Sequence, residues 1–233
     1  MILELARPLV CLDLETTGLD VRNDRIVEVG LVRLNPDGSR DSLQRRFDPG
    51  IDIPESATRI HGIRNDDVRG LFGEPTLARA GQALLDFLGD ADLCGFNISA
   101  YDLPLWLAEC RRHGLTFAME GRLVVDARTI FVGKETSWDR FILGPRNLNN
   151  AVSHYCGRAQ GAAFAERDES GDKDKKAAID DQKRHSAVKD ADATLDVLLA
   201  QLARYQDLPR TVTGLAEWCE RLAKSKDAAQ AAS

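Results

Sequence analysis

The stretch "LVCLDLETTG" (9–18) constrains this chain more than any other. Its apolar run reads as a buried strand, yet two acids, Asp13 and Glu15, interrupt the end of it. Side chains two apart on a strand point to the same face, so both carboxylates project together from the strand's end. Two ionised carboxylates on one face repel unless cations lie between them. A solvent-exposed strand face would account for an arbitrary D-x-E. Here "PLVCL" reads as a central strand, and "TTG" gives a sharp exit where a ligand's backbone could approach. That moves the balance toward a metal site.

The rest of the chain reads as α/β. "RIVEVGLVRLN" (25–35) is a second strand, apolar at alternate positions over much of its length, and "NPDG" turns the chain into a third around "SLQRRFDPG". Three strands joined by short turns form an antiparallel meander. "ADLCGFN" (91–97) and "GRLVVDA" (121–127) are later strands separated by helical patterns. Apolar residues at three- and four-residue spacing predict helices over 76–89, 102–113, 147–156 and 186–205, with a short amphipathic helix at about 213–225 and a frayed tail "DAAQAAS". Residues 158–184 mix charge with small residues, the composition of a solvated insertion. The expected organisation is one domain over 1–207, carrying that insertion, and a C-terminal helix and tail over 208–233.

Two further carboxylates sit in suggestive contexts. In "GFNISAYDLPLW" a strand ends near Asn97 and Asp102 stands where a helix begins, with Pro104 suited to a first turn. Considered alone, Asp102 is an N-cap. In "RHSAVKDADAT", His185 and Asp190 are five apart, roughly 140° around a continuous helix. Both face one centre only if His185 lies at or before the helix N-terminus with Asp190 a turn inside. Taken singly, a capping or surface histidine and a charged helix face are the preferred explanation.

Together, "DLETTG", "GFNISAYDLPLW" with N-x(4)-D, and "HSAVKDADAT" with H-x(4)-D resemble, in order, the three motifs of the DEDDh 3′–5′ exonucleases, the group that includes bacterial proofreading subunits. "IPESATRIHGI" (53–63) is similar to the family segment between the first two, and the resemblance spans about 8–205. It implies a ribonuclease H-like mixed sheet and two divalent ions, Mg²⁺ or Mn²⁺, held by Asp13, Glu15, Asp102 and Asp190. By the same resemblance Asp13 bridges the ions, Glu15 and Asp190 complete the site beside the attacking water, and Asp102 supports the second ion. His185 is then the general base; an imidazole titrating near neutrality suits that task.

The resemblance also implies substrate contacts. The Thr16 and Thr17 backbone approaches the 3′-terminal sugar, Leu19 packs against the terminal base, Asn97 helps at the same end, and His61 and Ile63 line the base pocket. An ordinary loop leucine at 19 and a packing turn at "HGI" are the bland alternatives. The expected activity is release of nucleoside 5′-monophosphates from the 3′ end of single-stranded or frayed nucleic acid, DNA favoured over RNA, with a DNA polymerase as an open partner. A non-catalytic module that binds nucleic-acid ends or a polymerase on the same fold is the alternative.

Charge and cysteine usage bear on this expectation. A net charge of −6 and a pI near 5.3 argue against coating nucleic acid through bulk charge, so cations must help at the phosphates. Arg45, Arg46, Arg111, Arg112, Lys183, Arg184 and Lys189 are basic candidates for guiding a strand. Five scattered cysteines, an odd number, suit reduced core thiols rather than a disulfide framework. With no leader pattern at "MILELARPLV" and no run long enough to cross a bilayer, the expectation is a soluble cytoplasmic protein without membrane contact.

Overall fold

The side chains of β1 (Leu9–Thr16) alternate between two apolar layers, and this alternation organises the molecule. Leu9 and Cys11 face one layer, while Val10, Leu12 and Leu14 face the other. β2 (Ile26–Leu34) does the same, with Val32 and Leu34 on the first face and Val29 and Leu31 on the second. Both strands are therefore buried on two sides, which explains their nearly continuous apolar runs. The computed structural model describes residues 2–70, 73–157 and 186–231, with side chains described through Ser225. The expected insertion at 158–184 lies outside the described residues.

The five strands run in the order β3-β2-β1-β4-β5, with β3 at Arg40–Arg46, β4 at Asp92–Gly95 and β5 at Val124–Asp126. β1 pairs with β2 and β2 with β3 in antiparallel fashion; β4 runs parallel to β1, and β5 parallel to β4. This is the mixed ribonuclease H-like sheet that the sequence predicts. β3 begins and ends earlier than "SLQRRFDPG" suggests, because Phe47 leaves the ladder to become fully buried in the core.

Eight helices precede the C-terminal one among the described residues: α1 (Glu55–His61), α2 (Asn65–Val68), α3 (Leu77–Leu88), α4 (Asp102–Arg112), α5 (Ala127–Lys134), α6 (Arg140–Leu143), α7 (Leu148–Cys156) and α8 (Ala187–Arg204). α3 and α4 supply one layer through Leu84, Leu88, Leu105 and Trp106. α5, α7 and α8 supply the other through Phe131, Val152, Leu195 and Leu198. α9 (Val212–Ala231) adds Leu215 and Cys219 to that second layer and runs on through the stretch expected as a frayed tail, which is a correction. The five cysteines are free thiols, all buried but the half-buried Cys156.

Candidate active site

The same alternation that buries Leu9 and Cys11 carries Asp13 and Glu15 to the α8 face, at the carboxyl end of β1. α8 crosses this end of the sheet with unusual closeness. Asp13 is opposite Gly30 on β2, and a Cβ at Gly30 would lie 2.0 Å from the Ala187 backbone carbon and 2.2 Å from Val188 N. Glycine is required there because the first turn of α8 rests directly on the strand. That contact brings Asp190, in the first turn, over Asp13. One ligand oxygen each from Asp13, Glu15 and Asp190 lies within 4.8 Å of the others, a grouping found among the described residues.

Glu28, the register partner of Glu15, holds α8 in place. It is 1% exposed; one carboxylate oxygen accepts the Ala187 N–H at 3.0 Å, and the other accepts Arg46 Nε at 2.7 Å. Ser186, the N-cap, makes no side-chain cap bond, so Glu28 satisfies one of the orphan donors that open the helix and places negative charge at its positive end. Sequence reasoning passed over Glu28. The signal available was an acid inside an otherwise apolar strand, meaningful only once the register with Glu15 is known.

Asp102 enters from the other side. It is the first residue of α4, with Tyr101 at the cap position and no side-chain cap bond, so the capping role open to it in the sequence is not the one it takes. It is 6% exposed. β4 pairs with β1 only as far as Cys11, and the Leu14 N–H beyond that point stabilises the Asp102 carboxylate. Burial nevertheless pushes Asp102 up to about 7, with the neighbouring Asp126 carboxylate adding to the rise against the backbone donors. Asp13 is held well above the usual carboxylate range, first by burial and then by Asp102, Asp190, Glu15 and Glu28. Its carboxyl is hemmed in by protein yet keeps part of its surface open. Asp102 stands outside the three-carboxylate grouping but within electrostatic reach of Asp13.

Three other residues, none anticipated, shape the surroundings. Asp126 caps α5 through Arg128 N–H (2.9 Å) and Thr129 N–H (3.1 Å), and accepts the Asn97 N–H at 3.1 Å. It thereby fixes the turn between β4 and α4, where Asn97 sits at φ 75°. The Tyr101 hydroxyl meets Thr16 Oγ1 at 2.7 Å and donates to the Gly18 carbonyl, tying the exit of β1 to α4. Asp24 accepts Thr17 Oγ1–H at 2.7 Å and lies where a Cβ on Gly18 would stand, 2.5 Å away. The glycine of "TTG" thus makes room for Asp24.

The other expected substrate residues are placed as follows. Leu19 projects from the loop after β1, 82% exposed. His61 and Ile63 are buried, at 4% and 2%. His61 Nδ1 accepts the Ile63 N–H at 3.0 Å, and Ile63 packs with Val27, Ile53, Ala57 and Val68. This is the packing turn, closing α1 at Gly62, and it leaves neither side chain much surface to offer a base. Arg46 and Arg112 are committed to Glu28 and Glu109. His185, Lys183 and Arg184 lie outside the described residues; α8 begins at Ala187, with the Asp190 N–H donating to the Ser186 carbonyl at 3.0 Å.

The donor set fits a hard divalent cation. It consists of carboxylate oxygens, and the burial and mutual repulsion that raise Asp13 are the cost a cation relieves. A mixed sheet with such donors at the end of its central strand defines a ribonuclease H-like protein. The family model RNase_T, described as "Exonuclease", matches residues 10–155, and the chain belongs to this exonuclease family.

Among its relatives are the DNA polymerase III PolC-type of Clostridium perfringens (33% identical over 94 residues) and the DNA polymerase III subunit epsilon of Aquifex aeolicus (31% over 86). The matched segments are 40% and 37% of this chain, and 6% and 41% of those proteins. The chain thus spans less than half the length of either. The solved zinc-bound complex of E. coli ExoI with ssDNA is similar in fold, with a TM-score of 0.62 at 14% identity, covering 87% of this chain and 41% of that one. Among the described residues no helix is long and apolar enough to cross a membrane.

Proposed function

We propose that the protein is a divalent-metal-dependent 3′–5′ exonuclease that removes nucleotides from single-stranded or frayed ends, DNA in preference to RNA. The observation that carries this reading is the meeting of Asp13, Glu15 and Asp190 oxygens within 4.8 Å at the end of β1, with Asp102 close by. Mg²⁺ or Mn²⁺, when bound, stabilises the charge that gathers on the attacking and leaving oxygens of a phosphodiester. Asp13, centred between Glu15, Asp190 and Asp102, would be shared by two ions, with Glu15 and Asp190 completing one site and Asp102 supporting the other. Carboxylates 6–8% exposed do little screening of one another by water, which favours cation binding over solvation.

His185 precedes the N-cap of α8 by one residue in the chain and would take the proton from the attacking water. The bond to the 3′ oxygen then breaks, releasing a nucleoside 5′-monophosphate and leaving a new 3′ hydroxyl. Thr16 and Thr17, fixed by Tyr101 and Asp24, would offer backbone to the terminal sugar. Leu19 would meet the terminal base and Asn97 would contact the same end. His61 and Ile63 would act from behind, keeping α1 packed. The relatives named for DNA polymerase III favour DNA as substrate and make a polymerase an attractive partner.

The test is digestion of 5′-labelled DNA and RNA strands, and of a circular single strand, with and without Mn²⁺. The reading predicts a metal-dependent ladder from the linear DNA and an intact circle. Cutting of the circle would make the protein an endonuclease, and binding without cutting would make it a non-catalytic end-binding module.

A further inference from the structure

Between α5 and α7 the chain exposes three successive apolar side chains on α6: Phe141 (91%), Ile142 (80%) and Leu143 (48%). Apolar groups left in water like this usually mark a contact surface. Their presentation is built, because a dense set of bonds fastens the segment around them. Asp139 accepts the Phe141 N–H at 2.8 Å, Trp138 Nε1 donates to the Gly144 carbonyl at 2.9 Å, and Asn150 Nδ2 donates to the Pro145 carbonyl at 2.7 Å. Trp138 itself packs edge-on against Phe131, 4.7 Å between ring centres, in the core. The backbone is thus held to the body while the apolar side chains point outward.

Three arginines beside this patch have no carboxylate partner among the described residues, unlike many elsewhere on the surface. Arg7, Arg33, Arg40, Arg46, Arg69 and Arg112 are each paired with a carboxylate. Among the described residues no carboxylate pairs with Arg128, Arg140 or Arg146. Arg128 donates to the neutral carbonyl oxygens of Asn97 (3.3 Å) and Arg146 (3.2 Å). Arg146 donates to the Glu135 backbone carbonyl at 2.6 Å, and the Arg140 guanidinium lies 5.6 Å from the Phe141 ring centre. The nearby acids are otherwise engaged: Asp139 caps α6, and Glu135 takes His154 and Tyr205. Three guanidinium groups without a described carboxylate partner are thus left beside the patch in a chain of net charge −6. Arg128 also bridges the patch to Asn97, on the turn that leads into Asp102.

We propose that Phe141 and Ile142, flanked by Arg128, Arg140 and Arg146, form a stacking platform for the single-stranded segment upstream of the terminal nucleotide. This rests on the exonuclease reading of the carboxylate site. An exposed ring takes a base by stacking irrespective of sequence, an adjoining apolar side chain widens that face, and unpaired guanidinium groups beside them take the phosphates. A protein partner with an apolar surface would use the same side chains but gain little from three cations.

The test uses the full chain and the double variant Phe141→Ala/Ile142→Ala, with Phe141→Trp as the stacking-conserving control and Phe141→Leu as the apolar, non-aromatic one. Anisotropy measures binding of a labelled single strand in Ca²⁺; kinetics compare a long oligonucleotide, a dinucleotide and the p-nitrophenyl ester of thymidine 5′-monophosphate. The platform predicts that the double variant weakens binding and raises KM for the long strand by roughly tenfold or more, from the usual worth of one stacked base. The dinucleotide and ester are hydrolysed as by the wild type, and Phe141→Trp keeps long-strand binding where Phe141→Leu weakens it. Unchanged long-strand affinity in the double variant overturns the platform. Failure of the wild type to hydrolyse any substrate overturns the exonuclease reading instead, while the anisotropy comparison still decides the platform.

Discussion

Asp102 and Asp13 are carboxyls that the fold makes costly to ionise, and the cost has a measurable sign. Asp102 sits at about 7 when no ion is bound, whereas an unfolded chain releases that proton near 4. Between these values the native state holds a proton that the unfolded state has lost, so stability falls as pH rises through the window and levels off above it. In chelator at pH 8, Asp102→Asn should therefore raise stability by about 1–4 kcal/mol in urea titrations, since each tenfold change in proton affinity is worth about 1.4 kcal/mol, and flatten the decline between pH 4 and 7. Asp13→Asn should act in the same direction. His185→Ala should lower turnover about 10²–10⁴-fold with metal and oligonucleotide affinities nearly unchanged, checked by single-turnover kinetics beside binding titrations. Asp13 and Glu15 were legible from their spacing on one strand face, whereas Asp102 and Asp190 were legible only because their stretches, in order, resemble the motifs of an exonuclease family. Glu28 and Asp126 were not, since each acts through a backbone N–H that only the folded register brings near.

At the scale of elements, the site depends on how one helix lies on one strand. The periodicity of 186–205 predicts α8 to within a residue, yet nothing in that stretch tells where it docks. The docking is written in β2, where Gly30 and Glu28 break the apolar alternation on the helix-facing side. Gly30→Ala would drive a Cβ into the Ala187 backbone, so either α8 lifts or the strand shifts. We expect a loss of about 1–3 kcal/mol by denaturant melting, as for overpacked cores, and a fall in exonuclease rate beyond what the lost stability explains, because Asp190 moves with the helix. Activity that survives intact beside such destabilisation would separate the docking from the site. α1, α2, α5 and α6 escaped sequence reasoning because they span only seven, four, eight and four residues, too short for a helical period to stand out.

Over the whole molecule, the exonuclease family model ends at residue 155, whereas the third carboxylate comes from Asp190, beyond 158–184. The site is therefore closed only when the chain returns to the sheet through α8, and the sheet order β3-β2-β1-β4-β5 puts that return beside the acids. The antiparallel meander was readable from strand signals and turn residues, and the mixed sheet from the motifs' resemblance to an exonuclease family. Which arginines are paired was not, because pairing depends on neighbours distant in sequence, as with Arg40 beside Asp192 and Asp196. The central claim is that these carboxylates hold the ions on which hydrolysis depends, and it is met most directly by titrating Mn²⁺ calorimetrically into wild type and Asp13→Ala at matched pH while following turnover at each concentration. Wild type should bind two ions with turnover rising alongside occupancy, and Asp13→Ala should lose both binding and turnover. An Asp13→Ala variant that binds Mn²⁺ as the wild type does, or that still shortens the strand at the wild-type rate, would contradict the account.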